Sequence, residues 1–409
     1  MKQNEIIRLA VACVLVAVVA FAVYKMNTGS FKSGANQESL FSDFPVNDVT
    51  RFTVQAPENE SVTLVKTNEV WAVEDRGAYA ADFSKVAEFL RSVAELRPLT
   101  KEEVGDSQLA RVELQAPDAG EGAGTDIVFE GEGGAALASV RLGKEIERQS
   151  SGTTPSFGSA GRFVKRLGDN AQVFTVDDVF SSVVPDPSQW LDKETFFKVK
   201  GPRRVALTSS EESENWVLSR AVEGGDWSLE TMPSGKVMDS SKTTVFNSFM
   251  SFPSFVDVAT DASLMDDPRT LVIETFEGFT YTIQVGAETD GKYAMTVAVA
   301  ADIPQERSDI PEEETEEAKA AADKAFEDEK QALEEKLAEE SKLEGNIYLV
   351  NNWTVDNGLK SGEDFVKDPE PEESGDDLGA GSLPPLLEAP DVGALVEDAV
   401  ESTIGSGDQ

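Results

Sequence analysis

Histidine is absent from all 409 residues. That removes Ser-His-Asp and Cys-His nucleophile systems, His-ligated zinc and imidazole acid/base chemistry in one step. The single cysteine, Cys13, lies in the most apolar stretch of the chain, so no disulfide and no thiolate cluster can form within it. Positive charge is also scarce: 36 Lys and Arg stand against 76 Asp and Glu, a formal net charge of −40. A surface so acidic excludes nucleic acid as a partner. What is present in quantity is apolar, with 40% hydrophobic residues, enough for the cores of two domains of ordinary size.

Leu9 to Tyr24 is an unbroken apolar run, LAVACVLVAVVAFAVY, extended by Ile6 and Ile7 across Arg8, whose stem can snorkel to the headgroups. At about 1.5 Å per residue the stretch is about 28 Å long, close to the ~30 Å hydrocarbon core. It is predicted to span the membrane as residues 1–25. Lys2 and Arg8 before it place the N-terminus inside and export the remainder, making a single-pass inner (cytoplasmic) membrane protein with its bulk in the periplasm. Two competing readings keep the export but alter the anchor: cleavage after Ala20-Phe21-Ala22, and lipidation of Cys13.

Residues 26–39 are polar, small and non-periodic, as suits a stalk. Beyond them the sequence repeats itself. Phe52-x-Val54, Val62-x-Leu64 and Trp71-x-Val73 read as three short strands, and Asp82 then caps a helix with Val86, Phe89, Leu90, Val93 and Leu96 on one face. Val205-x-Leu207, Trp216-x-Leu218, Trp227-x-Leu229 and Asp239, before a helix carrying Phe246, Phe249 and Met250, follow in the same order at offsets of 153 to 157. Four further strand-like runs close each half, and Val176-Asp177 aligned with Val355-Asp356 raises the offset to 179, which implies a 22-residue insertion in the second copy. The expected class is α+β: two tandem β-rich repeats, residues 40–195 and 196–360, each a three-stranded meander plus a helix plus further β-hairpins, after an N-terminal transmembrane helix.

The insertion, residues 306–344, is rich in Ala, Glu and Lys and carries a net charge of −10. It reads as a solvated helix with a thin apolar stripe, or more sharply as a coiled-coil arm that Glu329 and Glu340 interrupt. Residues 361–409 hold 14 acids and one base among Gly, Ser and Pro, the composition of a disordered acidic tail.

Chemistry-bearing motifs are few. Gly286 to Lys292 matches G-x-x-x-x-G-K, but Tyr293 stands where a Mg²⁺-binding hydroxyl belongs and YAMTVAVA reads as a strand, so Asp290-Gly291 is predicted to be a hairpin turn. The acid pairs Glu74-Asp75, Asp177-Asp178 and Asp266-Asp267 read as turn or strand-end residues. Trp71 and Trp227 suit core packing, with sugar stacking as the alternative. Phe246, Phe249, Phe252 and Phe255 recur every three residues, so one helix face cannot bury all four; they are the candidate partner-docking residues. No catalytic residue, metal ligand, cofactor or nucleotide site is expected.

With these residues in view, LFSDFPVNDVTRFTV, the W-x-V strand at Trp71, Asp82-Phe83-Ser84-Lys85-Val86 opening a helix, and Asp186-Pro187 to Trp190-Leu191-Asp192 together resemble the bacterial domain of unknown function 4340 family. The resemblance runs over roughly residues 40 to 360. It implies a membrane-anchored protein encoded near gliding-type ABC transporter components, with no catalytic motif to carry over. The function expected is a non-enzymatic extracytoplasmic scaffold or accessory protein of an envelope or ABC-transporter-type complex, partnered by an integral membrane protein. The alternative is a carbohydrate- or peptidoglycan-binding module.

Overall fold

A computed structural model describes residues 39–41, 44–147, 159–308, 310 and 314–369. The apolar run, the stalk up to residue 38 and all but the start of the acidic segment lie outside them. Among the described residues no helix is long and apolar enough to cross a membrane. The chain divides into Met1–Lys367, which holds every strand and helix described below, and Asp368–Gln409.

The architecture is mixed and mostly β. The first half contributes β1 (Arg51–Gln55), β2 (Ser61–Thr67), β3 (Val70–Val73), β4 (Tyr79–Ala80), helix α1 (Phe83–Glu95), β5 (Pro98–Glu102), β6 (Thr125–Glu130), β7 (Ala136–Glu147), β8 (Ser159–Arg166) and β9 (Gln172–Val176). The second contributes β10 (Pro202–Thr208), β11 (Trp216–Ser219), β12 (Ser228–Leu229), β13 (Val237–Met238), the one-turn α2 (Ser240–Thr243), β14 (Phe255–Ala259), β15 (Arg269–Thr275), β16 (Phe279–Thr289), β17 (Lys292–Ala301), α3 (Glu316–Glu340), β18 (Ile347–Asn351), α4 (Asn352–Val355) and β19 (Val366–Lys367). They form two antiparallel sheets, ordered β4-β3-β2-β1-β6-β7-β8-β9-β5 and β12-β11-β10-β15-β16-β17-β18-β14, and a β13-β19 pair. Apart from β4 the two large sheets share one strand order.

Period-two patterning sets which face is inside. Phe52 and Val54 of β1, Ile127 and Phe129 of β6, Leu271 and Ile273 of β15, and Tyr281 and Ile283 of β16 are fully buried, with less buried residues between them. Over the first sheet lies α1. Asp82 caps it by accepting from the Lys85 amide at 3.0 Å, and Val86, Phe89, Leu90 and Val93 face the sheet. Among the described residues the second sheet has no helix of that length at the equivalent place after Asp239. After Asp239, which caps α2, the β-branched run Thr243-Thr244-Val245 gives way to a 3₁₀ turn ending at Ser248, and the helix expected to carry Phe249 and Met250 stops. Residues 361–367 fill the space instead. Phe365 is fully buried, its ring 5.0 Å from Trp216 and 5.4 Å from Phe246, and Ser361 and Asp364 form a capping box. The fold therefore continues through a stretch that composition alone assigns to the tail.

Strand register corrects the alignment of the two copies. Val176 and Val350, the partners of Pro98 and Phe255, are equivalent and 174 residues apart, while Val355 lies beyond the strand in α4. Upstream, Phe129 and Ile273 pair with Phe52 and Val205 and are 144 apart, and Val164 and Met295 pair with Leu142 and Val285 and are 131 apart. The second copy thus loses residues twice, before β15 and between β16 and β17, and then gains 43 between β17 and β18. A single 22-residue insertion was the net of opposing changes, read one helix turn too far.

The halves join through side chains. Arg76 grips Asp257 with two hydrogen bonds of 2.7 and 2.9 Å, and the Tyr79 ring meets Phe255 and Tyr348 at 5.7 and 5.9 Å. Phe196 completes the aromatic cluster, 5.0 Å from Phe255 and 4.9 Å from Tyr348.

Candidate functional site

The four phenylalanines do not share a surface. Phe246 is fully buried among Trp216, Trp227 and Phe365; Phe249 packs on Phe246 at 5.3 Å; and Phe255 belongs to the aromatic junction between the halves. Phe252 alone is outside, 81% exposed, in the loop entering β14. The period of three is resolved by a chain reversal: Met250 adopts φ 57° and its carbonyl accepts from the Val199 amide at 2.9 Å, which turns the following residues outward.

A second exposed aromatic, not singled out by the sequence pattern, accompanies it. Trp353 in α4 is 61% exposed, an uncommon position for so large an apolar side chain. In the β14–β18 pair Phe255 stands opposite Val350, so the antiparallel register carries Phe252 and Trp353 to the same end of that pair. The β16–β17 turn closes at this end too, where the Asn352 side-chain amide donates to Glu288 at 3.0 Å. By pattern NIYLVNNWTVDN reads as one of the strand-like runs of the second half, but Asn351 and Asn352 interrupt it and start a helical turn that presents the indole to solvent.

Trp71 and Trp227 are buried to 5% exposure, and Trp227 donates its indole N–H to Asn247. Neither offers a ring face for stacking. The G-x-x-x-x-G-K run is a hairpin. Asp290 and Gly291, at φ 51° and 72°, make the two-residue turn between β16 and β17, and a side chain at Gly286 would lie 2.1 Å from the Leu264 carbonyl oxygen. Close packing accounts for Gly286 and the left-handed turn conformation for Gly291. The acid pairs are spent locally: Glu74 on Arg51, Asp75 on the Thr63 amide, Asp178 on the Phe180 amide and Asp267 on Ser210. Among the described residues no cluster of three or more His, Cys, Asp or Glu is placed to hold a metal ion.

A buried polar cluster lies where α3 returns to the second sheet. Glu340 accepts from the Lys198 amide and the Tyr281 hydroxyl, both at 2.9 Å, and from Lys336 at 2.8 Å; Lys336 also donates to Tyr281 and lies 4.1 Å from the Phe279 ring centroid. Burial first, then the Glu340 charge, push the Tyr281 hydroxyl far above its ordinary value of 10.0, and burial with Tyr79 does the same for Tyr348. Both groups are raised in the folded state, so their contribution to stability is complete below the unfolded-state value near 10 and falls away as pH rises above it. Thermal midpoints are therefore expected to fall above about pH 10, with tyrosinate absorbance from these two rings appearing only together with unfolding. Tyr281→Phe should weaken this alkaline loss. Tyrosinate signal from Tyr281 in the folded protein would contradict the burial.

Residues 71–270 match the family model described as Domain of unknown function (DUF4340). This part of the chain is a DUF4340 domain. The matched DUF4340 region runs from Trp71 in β3 to Thr270 in β15, so it takes in α1, the junction around Arg76 and Asp257, and Phe252, while Trp353 and the α3 insertion lie beyond it. No curated protein and no solved structure matches the chain.

Proposed function

We propose that this DUF4340 protein is a membrane-anchored, extracytoplasmic scaffold or accessory subunit that docks on an integral membrane partner and performs no chemistry of its own. The run Leu9–Tyr24 supplies the anchor, and an ABC-type permease is the leading candidate partner by family resemblance. The observation that carries the docking reading is the pair of exposed aromatics, Phe252 and Trp353, at one end of β14–β18. Large aromatics at a protein surface are characteristic anchors of interfaces, and a rigid sheet end holds them without an ordering cost.

The test is co-purification of the tagged full-length chain from membranes in mild detergent. Wild type should retain a membrane protein. Phe252→Asp with Trp353→Asp should reduce capture by about 100-fold, since burying two such rings contributes roughly 3 kcal/mol or more. The thermal midpoint should hold, because exposed substitutions usually shift stability by less than about 0.5 kcal/mol. Unchanged capture by the folded double variant would overturn the docking surface, and retention on peptidoglycan alone would turn the reading to the carbohydrate-binding alternative.

A further inference from the structure

Between α3 and the segments Phe276–Gly278 and Asp302–Ser308 runs an open groove of about 590 Å³, within the range of small-molecule sites. Its lining is mainly apolar: Phe276, Ile303 and Pro304 on one side, Phe326 and Leu333 of α3 on the other. The groove exists because of the insertion. In the first half the equivalent connection, from β8 to β9, is only residues 167–171.

One cationic group in this lining, Lys330, is left without a partner among the described residues. The sheet-facing stripe of α3 reads Ala322, Phe326, Lys330, Leu333, Leu337, Glu340, all half-buried or buried. Lys330 therefore occupies an apolar position. Glu327 and Glu334 stand three and four residues away on the exposed side, yet among the described residues the Lys330 ammonium makes no ion pair and no hydrogen bond. Lys336, on the same face, shows the contrast, being tied to Tyr281 and Glu340. Across the groove Arg307 spends its two terminal nitrogens on Asp323 and Glu314, at 3.0 and 2.6 Å, while its Nε is buried with no partner among the described residues.

We propose that this groove binds an amphiphile with an apolar chain and a single anionic head group. The chain lies along Phe276, Ile303, Phe326 and Leu333, and the head meets the Lys330 ammonium. Glu277, Asp302, Glu306 and Glu329 also line the groove and repel a polyanion, which restricts the ligand to one negative charge. The groove lies wholly outside residues 71–270 and is independent of the docking reading.

The probe is a decanoic acid bearing a chain diazirine, applied to the full-length chain in lipid nanodiscs and mapped by mass spectrometry after irradiation. Labelling should fall on peptides spanning residues 302–308 and 322–333 and be competed by octanoate. Lys330→Met, which keeps the apolar stem, should weaken competition by about tenfold, the effect of one charge-assisted contact. Phe326→Ser should weaken labelling by both the acid probe and its alcohol counterpart, whereas Lys330→Met should spare the alcohol. Labelling confined to other parts of the chain, or equal competition in wild type and Lys330→Met with thermal midpoints preserved, would overturn the proposal.

Discussion

Trp190→Ala is expected to remove about 3–5 kcal/mol of stability, the largest loss from any single side chain in the first half. The ring is fully buried, 5.6 Å from Phe52 and 5.8 Å from Phe89, with its indole N–H donating to the Val184 carbonyl at 2.9 Å. The backbone here is held as firmly as the ring: the Trp190 carbonyl accepts from the amide of Asp82, the residue that caps α1, and Leu191 bridges to Ala81. Truncation therefore opens a cavity at the point where α1, β1 and the closing segment meet. In a unit of this size the thermal midpoint should fall by about 4–7 °C. Trp190→Phe should lose less, because a ring survives while the indole hydrogen bond does not. A drop of only a degree or two for Trp190→Ala would mean that the segment Asp186–Asp192 is peripheral.

A comparable loss is expected for Glu340→Ala, in a helix whose composition advertises nothing but solvation. The carboxylate is 7% exposed and satisfies the Lys198 amide, the Tyr281 hydroxyl and the Lys336 ammonium together. Removing one partner of such a buried network leaves the others uncompensated, at a cost of about 3–5 kcal/mol. Glu340→Gln keeps an acceptor and should fall between the two. The same geometry decides what the insertion tolerates. A Gly-Ser bridge replacing residues 312–343 removes Lys336, Glu340 and buried Leu343, so the second half should lose its cooperative thermal transition. An unchanged transition would mean that α3 is the detachable spacer its charge pattern suggests.

Sequence reasoning reached furthest where a period is short and a core is near. The alternation in β1 and in β15 and β16, the Asp82 cap with its Val86-Phe89-Leu90-Val93 stripe, and the Asp290-Gly291 turn were all legible, because each depends on residues within one element. It failed where distant segments decide. Phe365 looks like part of an acidic tail until the absence of a long helix after Asp239 leaves room for it. The candidate surface divides in the same way. Period three correctly implied that one helix face could not hold Phe246, Phe249, Phe252 and Phe255, yet only the backbone reversal at Met250 shows which ring is expelled. Trp353 was hidden because a β-rich sequence context masked a single helical turn, and Glu340 because an acid in an acidic helix carries no local sign of burial.

The claim that the β14–β18 end of the second half meets an integral membrane partner is open to one direct measurement. Phe252, at 81% exposure, is replaced by p-benzoylphenylalanine in the full-length chain, with Val70, 58% exposed in the first half, replaced in a parallel control. Spheroplasts are irradiated and the adducts identified. A discrete adduct with an integral membrane protein is expected from position 252 and little or none from position 70. Equal yields from both positions, or adducts only with soluble proteins or glycan, would contradict it.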